Sequence, residues 1–249
     1  MLWLRDVAAL FTDYDGTIAP VDVVRELSKP PREVYEALSE ISKLIPIAVI
    51  STKDCDFLVK RTDFARAWSC TYGLEIRVGS NVIINGELIK WQDGFTSLLN
   101  LIRELVGSGA YIEVKHVGNL VGGVSIDWRR GSIDRNALAR IIERARDMGF
   151  RVIEYKNHPF IDIYPGIPVN KGYAVTKLRE LLNINGPIMY LGDSENDVDA
   201  MRLVEYPVGV RHKYNVDLNL PVKLWVDEKE LPNFLWALYK QLVSKTNVN

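Results

Sequence analysis

The chain has 249 residues, enough for one large domain or for a core carrying an inserted module. Hydrophobic residues make up 47% of it, so a sizeable core can be buried and global disorder is excluded. The 31 basic and 32 acidic residues nearly cancel, which argues against nucleic-acid or membrane-surface partners but leaves room for a small phosphorylated substrate.

The opening MLWLRDVAAL has no basic segment ahead of an apolar stretch, and no apolar run approaches the ~20 residues of a membrane span. A soluble, cytoplasmic protein is expected. Residues 7–12 (VAALFT) form a short, nearly continuous apolar run that ends at Asp13. Residues 31–44 carry Val34, Leu38 and Ile41 at helical spacing, and residues 45–50 (IPIAVI) form a second apolar run ending at Ser51. Such runs are what strands buried on both faces of a parallel sheet look like, so this stretch reads as a βαβ unit. Cys55 and Cys70 form no CxxC and have no histidine close by in sequence, so they are expected to be free thiols in a reducing compartment.

The rhythm then changes. Residues 81–89 contain Asn85-Gly86, a hairpin signal, and residues 95–106 read as a helix. Residues 111–117 and 121–128 read as paired strands around Gly118-Asn119. Residues 132–148 read as a helix with Ser132 as N-cap and Gly149 past its end. Two more strands, 151–156 and 160–164, complete an antiparallel α/β block over residues 79–165. After it, Lys171-Gly172 begins a helix over residues 172–182, and residues 187–192 (PIMYLG) form a third apolar run ending at Asp193. Residues 230–242 form an amphipathic helix with Pro232 in its first turn. The fold class expected is α/β: a doubly wound parallel-sheet core, residues 1–78 and 166–249, with an inserted α/β cap over residues 79–165.

In open α/β sheets ligands sit beyond the carboxyl ends of the strands, which would gather Asp13, Ser51 and Asp193 at one edge. Asp13 and Asp15, two residues apart past a buried strand, can supply one carboxylate to attack phosphorus and another for general acid/base work. Gly16 permits the tight turn, and the Thr17 hydroxyl can hold it. In the sequence Gly192-Asp193-Ser194-Glu195-Asn196-Asp197, the oxygen ligands suit Mg²⁺, with Asp13, Asp15, Asp193 and Asp197 as candidate ligands and Asn196 able to hold a water or the substrate. A lysine at a helix start is unfavourable for the helix dipole unless anions lie near, so Lys171 is a candidate to neutralise nucleophile and phosphoryl group. Ser51 and the N–H groups beside it can cradle a phosphoryl oxygen. His116, His158 and His212 are scattered without ligand spacing, which makes metal binding by them improbable.

Asp13-x-Asp15-Gly16-Thr17, Ser51, Lys171-Gly172 and Gly192-Asp193-x-x-Asn196-Asp197, in this order, resemble the haloacid dehalogenase superfamily of phosphatases over essentially the whole chain. The resemblance implies Asp13 as nucleophile, Asp15 as general acid/base, Ser51 and Lys171 on the phosphoryl group, and Mg²⁺ at the late acidic motif. A narrower resemblance is to trehalose-6-phosphate phosphatases. It rests on the opening DYDGTIAP, on Ile163-Tyr164-Pro165-Gly166 through Asn170-Lys171-Gly172, and on Glu113-x-Lys115 with Asp127-Trp128-Arg129. It implies hydrolysis of trehalose 6-phosphate, a functional link to a sugar-phosphate synthase, and sugar contacts from Glu113, Lys115, Arg129 and Asn170. Other sugar phosphates, such as mannosyl-3-phosphoglycerate or sucrose phosphate, and a phosphomutase reaction are the alternatives. Thr52-Lys53 stand where that family usually has Gly-Arg.

Overall fold

The computed structural model describes residues 6–246; the reading of the first five residues as free of a leader lies outside the described residues. By chain contacts the protein divides into two units, residues 1–83 with 169–249, and residues 84–168.

The larger unit is built on an eight-stranded sheet. Its strands are β1 (Ala9–Thr12), β2 (Ile47–Ile50), β3 (Ala67–Cys70), β4 (Glu75–Val78), β5 (Asn81–Ile84), β10 (Ile188–Gly192), β11 (Tyr206–Arg211) and β12 (Leu224–Asp227), in the spatial order β12-β11-β10-β1-β2-β3-β4-β5. The six strands from β12 to β3 run parallel, and β4 is antiparallel to β3. The three apolar runs form β1, β2 and β10, each buried throughout. Alternation along them feeds two cores. Leu10, Ile47 and Val49 pack with α1 (Arg32–Ser42) and α7 (Leu231–Thr246), whereas Ala9, Phe11, Ala48 and Ile50 pack with α5 (Lys171–Leu181) and α6 (Val198–Met201). Burial of both faces explains why these strands read as continuous apolar runs.

β1 is paired with β10 on one side and β2 on the other, Phe11 opposite Tyr190 and Ala48. The chain therefore winds away from β1 in both directions, and its carboxyl end is the switch point at which such sheets bind ligands.

Three expectations fail, one in this unit and two within residues 84–168. Cys55, the first residue of α2 (Cys55–Val59), and Cys70, the last of β3, form a disulfide with Cα atoms 5.2 Å apart. The parallel pairing of β2 with β3 brings them together, a juxtaposition that sequence spacing does not encode. The free-thiol expectation is overturned, and with it goes the thiol-based support for a reducing compartment. Asn85-Gly86 does not turn a hairpin. β5 already pairs at the sheet edge, and Asn85 Oδ1 accepts the Glu87 N–H (3.0 Å) to start a 3-10 turn, Gly86–Trp91, that runs into α3 (Gln92–Val106). Ser132 is not the N-cap of α4 (Arg135–Asp147). Its N–H is tied to the Gly109 carbonyl, and Asp134 caps the helix through the Asn136 N–H instead.

The smaller unit is a four-stranded antiparallel sheet, order β6-β7-β9-β8, made of β6 (Tyr111–Val117), β7 (Leu120–Asp127), β8 (Arg151–Glu154) and β9 (Phe160–Tyr164). α3 and α4 pack on it through Phe95, Leu98, Ile102, Ile141 and Ala145. No helix among the described residues is long and apolar enough to cross a membrane.

Candidate active site

Asp13 immediately follows β1, and its N–H donates to the Leu191 carbonyl of β10 (2.8 Å), which locks the residue at the strand end. Its Oδ1 lies 2.9 Å from the Lys171 ammonium, the first residue of α5. Lys171 is completely buried and also donates to Asp197 Oδ1 at 2.7 Å. Burial by itself would pull its pKa down, but the Asp13 and Asp197 carboxylates outweigh that and hold it above the ordinary lysine value. A cation at this helix start is thus explained by the carboxylates around it.

Asp193, just past β10, is oriented from two sides. Thr17 Oγ1 donates to its Oδ1 (2.9 Å), and His212 Nε2 lies 2.9 Å from its Oδ2. The Tyr214 N–H donates to His212 Nδ1 (3.2 Å), so the ring proton belongs on Nε2 and points at Asp193. Burial lowers the His212 pKa, which favours this neutral form. Asn215 completes the mount: its Nδ2 donates to the Asp193 carbonyl (2.8 Å) and its Oδ1 accepts the His212 N–H (2.9 Å). Gly16, at φ +78°, passes so close that a Cβ there would stand 2.6 Å from Asp193 Oδ2, so the turn admits only glycine.

Asp197 has both oxygens engaged. Oδ1 accepts from Lys171 and from the Tyr190 hydroxyl (2.5 Å), and Oδ2 accepts the N–H groups of Asp193 (3.0 Å) and Ser194 (3.1 Å). It serves as a brace between Lys171 and the Asp193 loop. Asp15 projects less deeply, with Lys53 Nζ 3.6 Å from its Oδ2 and Ser28 Oγ 3.4 Å from its Oδ1. Ser51 is buried, its N–H held by the Ser69 carbonyl (2.9 Å) and its Oγ 3.3 Å from the Lys53 N–H.

Asp13, Asp193 and Asp197 place carboxylate oxygens within 4.8 Å of one another, against a single buried ammonium. Burial drives the Asp13 pKa well above the carboxylate range despite Lys171, with Asp197 and Asp193 adding repulsion. Burial and then Asp197 push Asp193 up to about 8. Uncompensated negative charge held by oxygen-only donors is what a hard divalent cation such as Mg²⁺ fits.

The remaining sequence candidates fall elsewhere. Asn170 caps α5 through the Tyr173 N–H (2.7 Å) and donates to Asp199 Oδ2 (2.6 Å). Asn196 Oδ1 lies 3.3 Å from Ser194 Oγ. In the smaller unit, Glu113 and Lys115 share one face of β6, opposite Ser125 and Gly123 of β7. Arg129 is locked onto Asp127 by its Nε (2.9 Å) and Nη2 (2.6 Å). Thr17 was expected to bond within its own turn and instead reaches Asp193. Sequence reasoning missed His212, Asn215, Tyr190 and Ser28. Only His212 had a usable signal, its place just past an apolar run that becomes β11, the neighbour of β10.

The fold, a parallel sheet with a carboxylate–lysine cluster at its switch point and an α/β unit inserted between its strands, is shared with solved phosphatase structures. Among solved structures, the chain aligns with a trehalose-6-phosphate phosphatase related protein at TM-score 0.76 and 19% identity, covering 95% of this chain and 99% of the other. A sugar phosphatase of subclass IIB of the haloacid dehalogenase superfamily aligns at TM-score 0.65 and 15% identity, covering 94% and 98%. The chain belongs to the trehalose-phosphatase family, whose model matches residues 11–217. The trehalose-phosphate phosphatase of Mycolicibacterium paratuberculosis is 25% identical over 227 residues, 84% of this chain and 56% of that protein. The match thus spans little more than half the length of this relative and of a rice one, and 16% of an uncharacterized glycosyl hydrolase of Mycobacterium tuberculosis to which the chain is 26% identical.

Proposed function

We propose that the protein hydrolyses a sugar phosphate monoester, foremost trehalose 6-phosphate, with Asp13 as covalent nucleophile. The observation that carries this reading is Asp13 at the carboxyl end of β1, 2.9 Å from a fully buried Lys171 and grouped with Asp193. Family membership supports the substrate class.

An Asp13 oxygen attacks phosphorus in line as the bond to the sugar oxygen breaks, and Asp15 gives that oxygen its proton. Water then attacks the aspartyl phosphate, Asp15 takes the water's proton, and phosphate leaves with Asp13 restored. Lys171 neutralises the approach of an anion to a carboxylate, and Ser51 with the N–H groups around it holds a phosphoryl oxygen. Asp13, Asp193 and the Asp15 carbonyl would hold Mg²⁺, which supplies further charge neutralisation for the phosphoryl oxygens. His212, Thr17 and Asn215 keep Asp193 turned toward that position, while Asp197 holds Lys171. The 84–168 unit carries the groups that would select the sugar, Glu113 and Lys115 among them. A substrate of this kind implies a synthase upstream that supplies the phosphate ester.

The test is phosphate release from a panel of sugar phosphates by wild type and Asp13→Asn. Trehalose 6-phosphate should be the best substrate. The variant should lose more than about a thousandfold in turnover, roughly 4 kcal/mol of barrier. Turnover within tenfold of wild type removes Asp13 from its role, and label passing to a sugar instead of water makes the enzyme a mutase.

A further inference from the structure

The polar face of the smaller unit's sheet is organised around one carboxylate. Asp162, in the middle of β9, accepts from three other segments. Lys115 Nζ of β6 donates to its Oδ1 at 2.8 Å, Ser125 Oγ of β7 donates to the same oxygen, and the Tyr155 hydroxyl, just past β8, donates to Oδ2 at 2.8 Å. Ser125 and Asp162 are direct cross-strand partners, so these two groups are set by register. Lys115 also donates to the Tyr164 hydroxyl (2.7 Å), and its ammonium lies 5.1 Å from the centre of the same ring. Tyr164 can lie across the sheet because Gly123 is beneath it: a Cβ at Gly123 would stand 2.6 Å from the ring.

A lysine on a bare sheet face would sample many rotamers and bind a neutral hydroxyl weakly. Here two of its three ammonium protons are spent on Asp162 and Tyr164, so the third has a set direction. We infer that Asp162, seconded by Tyr164, is a positioning residue that aims the Lys115 ammonium at a hydroxyl of the sugar, making this face a pre-organised reader of a polyhydroxylated ligand. This inference rests on the proposed sugar phosphatase activity. It adds to it that selectivity depends on residues that need not touch the sugar.

The experiment uses the full chain and the sugar phosphate that wild type hydrolyses best, with p-nitrophenyl phosphate as a hydroxyl-free control. Tyr164→Phe removes one bond to Lys115 and no charge. It should raise KM for the sugar phosphate about 3- to 30-fold, with kcat and p-nitrophenyl phosphate hydrolysis within twofold of wild type. Asp162→Asn should raise KM about 10- to 100-fold in the same pattern. The double variant Lys115→Met/Asp162→Asn should be no worse than Lys115→Met alone, because both changes act through one ammonium. Losses that add in the double variant, equal losses on both substrates, or an unchanged KM in Tyr164→Phe would overturn the inference. Should Asp162→Asn fail to fold, Tyr164→Phe and its double variant with Lys115→Met decide the matter alone. A wild type with no preference for any sugar phosphate over p-nitrophenyl phosphate would instead refute the proposed function.

Discussion

Replacing Asp197 with asparagine separates two readings of the acidic motif. Asp197 was a candidate metal ligand from the sequence, yet its four acceptor positions are filled by Lys171, Tyr190 and the N–H groups of Asp193 and Ser194. An asparagine keeps the shape but turns one oxygen into a donor. That donor must face either the two N–H groups or the Lys171–Tyr190 pair, so one side loses its bonds. A bond to a charged group contributes about 1.5–3 kcal/mol, and an uncompensated buried charge costs about 3–5 kcal/mol. Lys171 keeps Asp13 as a partner, and removing the Asp197 charge relieves the repulsion that raises Asp13 and Asp193. The net loss should therefore be about 2–4 kcal/mol, a fall in Tm on the order of 4–16 °C in EDTA. kcat should fall about 10- to 1000-fold because Lys171 and the Asp193 loop lose their shared brace, while the Mg²⁺ Kd from calorimetry stays within about tenfold. A Mg²⁺ Kd weakened more than a hundredfold with Tm unchanged would show that Asp197 is a ligand and refute the brace.

Reduction of the Cys55–Cys70 disulfide, which closes a 15-residue separation, should lower stability by about 3 kcal/mol; an unchanged denaturation midpoint with and without reductant would contradict this. In metal-free protein Asp193 is held up to about 8 by burial, so the folded state keeps a proton that the unfolded chain has released above its ordinary pKa near 4. Stability in EDTA should accordingly decline as pH rises from about 4 to 8 and then level, and saturating Mg²⁺ should abolish the decline; a metal-free midpoint that climbs over that range would contradict the assignment. EDTA should remove phosphatase activity and Mg²⁺ restore it, as followed by phosphate release.

Much of the core was legible in the sequence because strands buried on both faces must be apolar along their whole length. That constraint singled out residues 7–12, 45–50 and 187–192, and strand-end logic then pointed to Asp13, Ser51 and Asp193. β11 escaped because Pro207 and Gly209 interrupt its apolar run, and with it went the reason to promote His212. Spacing likewise gives no sign that Thr17 reaches a residue 176 positions away, that Asp197 braces Lys171, or that two cysteines separated by 15 residues bond. The sequence by itself determined which strands are buried on both faces and which polar residues stand at their carboxyl ends, since burial leaves a periodic record in the chain. Only the tertiary structure decided what each polar group is paired with, because a hydrogen bond is settled by fractions of an ångström between elements distant in sequence, and no local pattern records that distance.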